Sequence, residues 1–148
     1  MVSLSERWRR FGKLVRAALS EQSTPGRVAW AIALGVMLGM SPLLGLQTVL
    51  AVALSSALRL NRVLTILGTN VTFGPLLPAA IAGEITLGAR LLGQPLPDLS
   101  REHVVASARD ATLAWWLGFG VMAPPLAGLL AALAWRYAKR VTSPAASG

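Results

Sequence analysis

No cysteine occurs among the 148 residues, and histidine occurs once. Disulfides, thiol chemistry and thiolate metal sites are therefore excluded, and one chain cannot form a two-histidine metal site. Charge is scarce too: 14% of residues are Asp, Glu, Lys or Arg, against about 25% in an ordinary soluble domain. Only 6 residues are acidic and 14 are basic, for a net charge of +8. No GxSxG, P-loop or dinucleotide fingerprint appears. His103 beside Glu102, on a short amphipathic stretch, reads as a solvated pair. The expectation is a protein that is not an enzyme and holds neither metal nor cofactor.

Apolar length takes the place of charge. Three stretches, Val28 to Leu58, Val63 to Gly83 and Ala111 to Trp135, contain no Asp, Glu, Lys, Arg or His. Uncharged apolar runs of about eighteen residues or more read as membrane-spanning. Each is interrupted by proline beside a small residue: Gly39-Met40-Ser41-Pro42, Gly74-Pro75-Leu76-Leu77-Pro78 and Ala123-Pro124-Pro125. As one helix, the first run would be about 46 Å long, against a hydrocarbon core of about 30 Å. Pro42 breaks the helical ladder near its centre. Two arms are expected, over 28–40 and 43–58, forming a hairpin or a re-entrant loop.

The basic residues gather at the chain ends. Arg7, Arg9, Arg10, Lys13, Arg16 and Arg27 precede the first run, and Arg136, Lys139 and Arg140 follow the last. That distribution suits an anionic cytoplasmic leaflet and does not point to nucleic acid. Leu4, Trp8, Phe11, Val15 and Ala18 share one helical face among the N-terminal cations. Residues 1–22 therefore read as a basic amphipathic helix lying on the membrane, with Arg7, Trp8, Arg9, Arg10, Phe11, Lys13 and Arg16 at the lipid surface. A signal peptide is not expected, since the first run is far longer than an h-region of about 7–15 residues. Arg59-Leu60-Asn61-Arg62 is a basic connector, which the positive-inside rule places in the cytoplasm with both termini. Trp30, Trp115, Trp116 and Trp135 lie near run ends, as interfacial aromatics should.

The expected fold is an all-α integral membrane protein: three proline-broken helical hairpins or re-entrant segments plus an N-terminal amphipathic interfacial helix. One membrane domain would cover 1–148, with broken segments at 28–58, 63–92 and 111–140. Residues 93–110 would form a short amphipathic connector helix capped by Asp98 or Ser100, and 141–148 a disordered tail. Gly35-Val-Met-Leu-Gly39-Met-Ser-Pro42 can be laid over Gly118-Phe-Gly-Val-Met-Ala-Pro124-Pro125 as a weak internal repeat. Gly35 and Gly39 form a GxxxG pair, expected to pack against the arm after Pro42.

Helices restarting after proline present free N–H groups and a positive dipole end, which attract anions. Interruptions at matching places in a membrane chain point to a binding site. Around the first break, Gly39, Ser41, Pro42, Gly45, Gln47 and Thr48 are candidate substrate-binding residues. Asn61, Arg62, Gly68, Thr69 and Asn70 approach the second break, which comprises Gly74, Pro75 and Pro78. Glu84 is the one acid abutting an apolar run, and ionisable groups at membrane depth are costly and functional by default. It reads as a proton carrier, as an interfacial carboxylate, or as a partner for Arg90.

The stretch from Ala33 through Gly35, Gly39, Pro42 and Gly45 to Gln47-Thr48, followed by Arg59-Leu-Asn61-Arg62 and Leu67-Gly68-Thr69, resembles the bacterial membrane family catalogued as domain of unknown function 2062. Glu84-Ile-Thr-Leu-Gly88 is similar to its closing element. The chain departs from the pattern at Gly74-Pro75, where the family has Asn before proline; the nearest asparagine is Asn70. The resemblance implies a bacterial inner-membrane protein and, through glycosyltransferases fused to or neighbouring some members, a link to lipid-linked sugars. The expected function is a small multi-pass protein binding or translocating an anionic lipid-like substrate, a polyprenyl-phosphate or phospholipid. The alternative is a membrane anchor or scaffold for a partner enzyme such as a glycosyltransferase. Membrane lipids and further copies of the chain, as a homo-oligomer, are the other expected partners.

Overall fold

The structure, a computed structural model, describes residues 13, 24–43, 45–70, 76–96 and 104–142. Among them every regular element is an α-helix. Thr24 caps the first: its side chain accepts from the Arg27 amide, and Pro25 takes the first helical position. This helix, α1 (Pro25–Met40), stops where it must. Ser41 precedes Pro42, whose ring disfavours the helical conformation there, and Ser41 is extended at φ −65° and ψ 146°. Gly45, at φ 89°, supplies the reversal, and α2 (Gln47–Ala57) runs back.

The next link is a Schellman cap. The amide of Leu60 donates to Ser55 O at 2.7 Å and that of Arg59 to Ser56 O at 3.1 Å. Asn61 then caps α3 (Arg62–Asn70), its Oδ1 accepting from the Leu64 amide at 3.1 Å. The helix α4 (Leu76–Leu91) ends in a second Schellman cap at Gly93, with Gln94 N donating to Ala89 O at 2.9 Å. Last comes α5 (Val104–Thr142), 39 residues long and about 58 Å by helical rise.

The long helix is the spine. Val28 and Ala31 of α1 cluster with Leu64 of α3 and Ala138 of α5, and Val36 and Met40 cluster with Ala123 and Ala127. So α1 runs against the C-terminal half of α5. The other half is covered by α4, also antiparallel, because Gly88 abuts Ala114 and Gly118 abuts Glu84. Parallel to α1 lies α3: a Cβ on Gly68 would sit 2.9 Å from Gly35 Cα. Spaced four residues apart, Gln47, Ala51 and Ser55 bury one face of α2, which packs on α3 and α1.

The interior is small and the outside is large. Alanine supplies eight of the buried core positions, whereas Trp30, Leu46, Leu113, Leu129, Leu133 and Tyr137 are among the exposed apolar side chains. Among the described residues one segment, Ala111–Val141 of α5, is long and apolar enough by length and composition to cross a membrane; α1 and α2 are apolar but shorter.

Several expectations need correction. The third run is not broken: Pro124 and Pro125 lie inside uninterrupted α5. Proline's fixed φ is itself helical; the ring removes the N–H donors that Gly120 O and Val121 O would have used and crowds those two carbonyls. Gly120, Val121, Pro124 and Pro125 all lie on the exposed side, while α1 grips the helix at Ala123 and Ala127. The connector helix before residue 110 is not separate either, since it forms the first turns of α5. Pro78 belongs to α4 and not to the break; in the first helical turn its missing N–H has no partner to lose. Gly35 packs against α3 and not against α2. The proposed repeat therefore has a turn in one copy and continuous helix in the other. Arg7, Trp8, Arg9, Arg10, Phe11, Arg16, Gly74, Pro75, Asp98, Ser100 and the tail after Thr142 lie outside the described residues.

Candidate functional site

The turn between α1 and α2 gathers most of the first break. Its position is set by Met40, which packs with Ala123 and Ala127, bracketing the middle of the apolar segment of α5. Ser41 is buried, and its hydroxyl donates to Leu38 O at 2.8 Å. Gly39 is buried, Pro42 is half-buried, and Gly45 and Thr48 are exposed.

Gln47 is the exception to this self-sufficiency. It is 3% exposed, and its Oε1 has no hydrogen-bond partner. It is the first residue of α2, whose N-cap, Leu46, offers no side-chain bond to the free amides of the first turn. A buried amide without a partner costs about 1–3 kcal/mol. A half-turn of that amide presents either its oxygen or its NH2 group to an incoming molecule. The turn thus holds unused main-chain donors beside one unused side-chain amide.

The C-terminus of α3 reaches the same end of the molecule, because α3 runs parallel to α1 and Gly68 meets Gly35. Thr69 is buried there, and its hydroxyl donates to Ile66 O at 2.7 Å. Asn70 is exposed and its Nδ2 donates to the same carbonyl at 2.7 Å. Gly68 is a backbone contact and carries no group for a ligand. Asn61 and Arg62 do not join them. They begin α3, about 12 Å of helix away, and Asn61 is occupied as a cap.

Glu84 forms a second, separate centre. It lies eight residues into α4 from Leu76, about 12 Å of helix beyond the break. The side chain is 1% exposed, Oε2 accepts from Trp115 Nε1 at 2.7 Å, and Oε1 has no partner. Gly118 makes this possible: a Cβ there would overlap the Glu84 carbonyl, and one on Gly88 would overlap that of Ala114. Two helices in backbone contact leave a narrow slot that the carboxyl and indole fill. Glu84 is therefore buried between α4 and α5 with Trp115 as its hydrogen-bond partner, while Arg90 is exposed.

Trp115 was expected at an interface and is half-buried against this carboxyl. The pair is 31 residues apart in sequence, so no local spacing announces it. Thr65 and Ser55 are buried as well, and their hydroxyls donate to Asn61 O and Val52 O within their own helical stretches. Among the described residues no group of three or more His, Asp or Glu converges to hold a metal ion.

Comparison with known proteins finds one family. A family model described as "Uncharacterized protein conserved in bacteria (DUF2062)" matches residues 8–143. No curated protein matches the chain, and no solved structure does.

Proposed function

From the premise that the chain belongs to this uncharacterised bacterial family, we propose that it is a small multi-pass inner-membrane protein that binds or translocates an anionic lipid-like substrate. The substrate class is a polyprenyl-phosphate or a phospholipid. In this reading α5 crosses the bilayer once through Ala111–Val141. The α1–α2 hairpin enters from the side of the α5 C-terminus and turns back near mid-membrane, and α3 and α4 together make a second crossing. Support comes from a surface that exposes large apolar side chains over an alanine-lined interior, the reverse of a soluble domain and a mark of a membrane surface. The basic connector and the basic C-terminal end would then share the cytoplasmic side.

One observation carries the substrate reading: the partnerless, buried Oε1 of Gln47 at the start of α2, which has no side-chain cap. Backbone left unpaired at membrane depth is tolerated where a wet or ligand-filled cavity receives it. First-turn amides and the positive helix end favour a phosphate oxygen, and Gln47 adds a side-chain bond. In this reading Glu84, about 12 Å of helix beyond Leu76, is the ionisable element of the path.

Purified chain in proteoliposomes, assayed for movement of a labelled polyprenyl-phosphate and a labelled phospholipid, tests this. Gln47→Leu should lower flux about tenfold or more without loss of helical content or any fall in melting temperature; the loss of flux corresponds to about 1.4 kcal/mol. Flux equal to wild type would sink the reading. Partner-enzyme capture that persisted in that variant and vanished on trimming residues 1–20 would establish the anchor alternative.

A homo-oligomer completes the proposal. Gly120, Pro124, Gly128 and Ala132 fall four residues apart on the exposed face of α5, and Gly120 and Gly128 have open space where a Cβ would be. Small residues at that spacing let helices approach closely in lipid.

A further inference from the structure

We infer that the outer face of the α5 C-terminus is a seat for an anionic phospholipid, with Arg136, Lys139 and Arg140 on the headgroup and the Leu129–Leu133 ridge against its acyl chain. This deepens the membrane reading above and rests on it. It adds a second anion-binding place, at the opposite end of α1 from the turn that holds Gln47.

The geometry is helical. Arg136 has Lys139 at three residues and Arg140 at four, so the three cations share one face. All three are exposed, and with Trp135 they line a cavity of about 490 Å³. Lys139 Nζ stands 5.2 Å over the Trp135 ring, which holds the ammonium at the level of the indole. Seven residues before Arg136 and Arg140 lie Leu129 and Leu133, four apart, on the same side of the helix and more than half exposed. Ala138 and Ala127, on the opposite side, are the residues that α1 covers. A charged crown over a bare apolar ridge on one helix face has the shape of an amphiphile.

Among the described residues, charge is unbalanced at this end. Val28, Leu64 and Ala138 pack together, which brings the segments carrying Arg27, Arg59 and Arg62 to the same level. Of the acids in the described residues, Asp110 is near the other end of α5. Glu84 sits against Gly118, about 27 Å along the helix from Arg136. Like charges three and four apart destabilise a helix when nothing neutralises them. The α5 C-terminus draws cations through its partial charge, but main-chain dipoles do not neutralise three full charges. A phosphodiester does so, and Arg offers it a paired N–H fork. Free phosphate would occupy the cations alone and make no use of the leucine ridge.

The test uses the full chain in detergent, titrated with phosphatidylglycerol or phosphatidylcholine and read by native mass spectrometry. Wild type should retain phosphatidylglycerol in preference to phosphatidylcholine. Arg136→Gln with Lys139→Gln and Arg140→Gln should weaken that retention about tenfold or more. Arg90→Gln, an exposed cation on α4, should leave it unchanged. Equal retention of the two lipids by wild type, or unaltered retention by the triple variant with its helical content preserved, overturns the proposal. Displacement of the lipid by millimolar inorganic phosphate overturns it in favour of a free anion. The membrane reading fails separately, by partition of the chain into the aqueous phase, and the transport reading by flux that ignores Gln47→Leu.

Discussion

Arg59 and Gly93 stand at the same position of two equivalent helix ends. Each follows a helix by two residues, each has positive φ (54° and 65°), and each belongs to a Schellman cap. Glycine adopts that conformation freely, whereas a side chain strains it by about 1 kcal/mol. Arg59→Gly should therefore raise stability by about 0.5–1 kcal/mol, read from thermal unfolding in detergent. No gain would mean that the arginine side chain offsets its own strain. The glycines within helices divide just as clearly. Gly118→Ala drives a Cβ into the Glu84 carbonyl and should cost about 1–3 kcal/mol. Gly120→Ala meets nothing and should be neutral or stabilising by up to about 1 kcal/mol. Equal melting temperatures for the two variants would contradict the backbone contact between α4 and α5. None of this was legible in sequence, where Gly118 and Gly120 differ only by two positions.

Helix ends were legible where local rules act alone. The Thr24-Pro25 start and the Ser41-Pro42 stop need only capping and the restriction before proline. Pro124 and Pro125 defeated the same reasoning. A proline beside small residues breaks a helix that stands alone, but α1 braces this one at Ala123 and Ala127. Replacing both prolines with alanine returns donors to the carbonyls of Gly120 and Val121. The double variant should melt higher, by at most about 3 kcal/mol per proline. A lower melting temperature would show that the prolines are shaped to a partner and not merely tolerated.

At the scale of the molecule, the sequence announced apolar helices and a turn at Pro42, while the pairing of helices came from glycine contacts that it does not reveal. Gly35 needs Gly68, and Gly88 needs Ala114; each partner is chosen across tens of residues by shape alone. The candidate site split for that reason. Gln47 and Thr69 come to one end because α3 runs parallel to α1, whereas Asn61 and Arg62 are carried to the other. The oligomer is testable here. Gly120→Leu with Gly128→Leu fills the open stripe on α5 without touching the interior. Assembly size measured by mass photometry should fall with the melting temperature unchanged, and unaltered assembly would remove the stripe from the interface.

The spine has a further consequence. Its C-terminal half is clasped by α1 and its N-terminal half by α4, with two prolines, each lacking an amide hydrogen, close to the seam. Such a molecule unlocks in two cooperative blocks. Deuterium uptake should rise together across residues 76–91 and 111–120, and together, at a different rate, across 25–40 and 126–140. A loosening substitution such as Gly118→Ala would then accelerate exchange in the first block alone, leaving the second as slow as before.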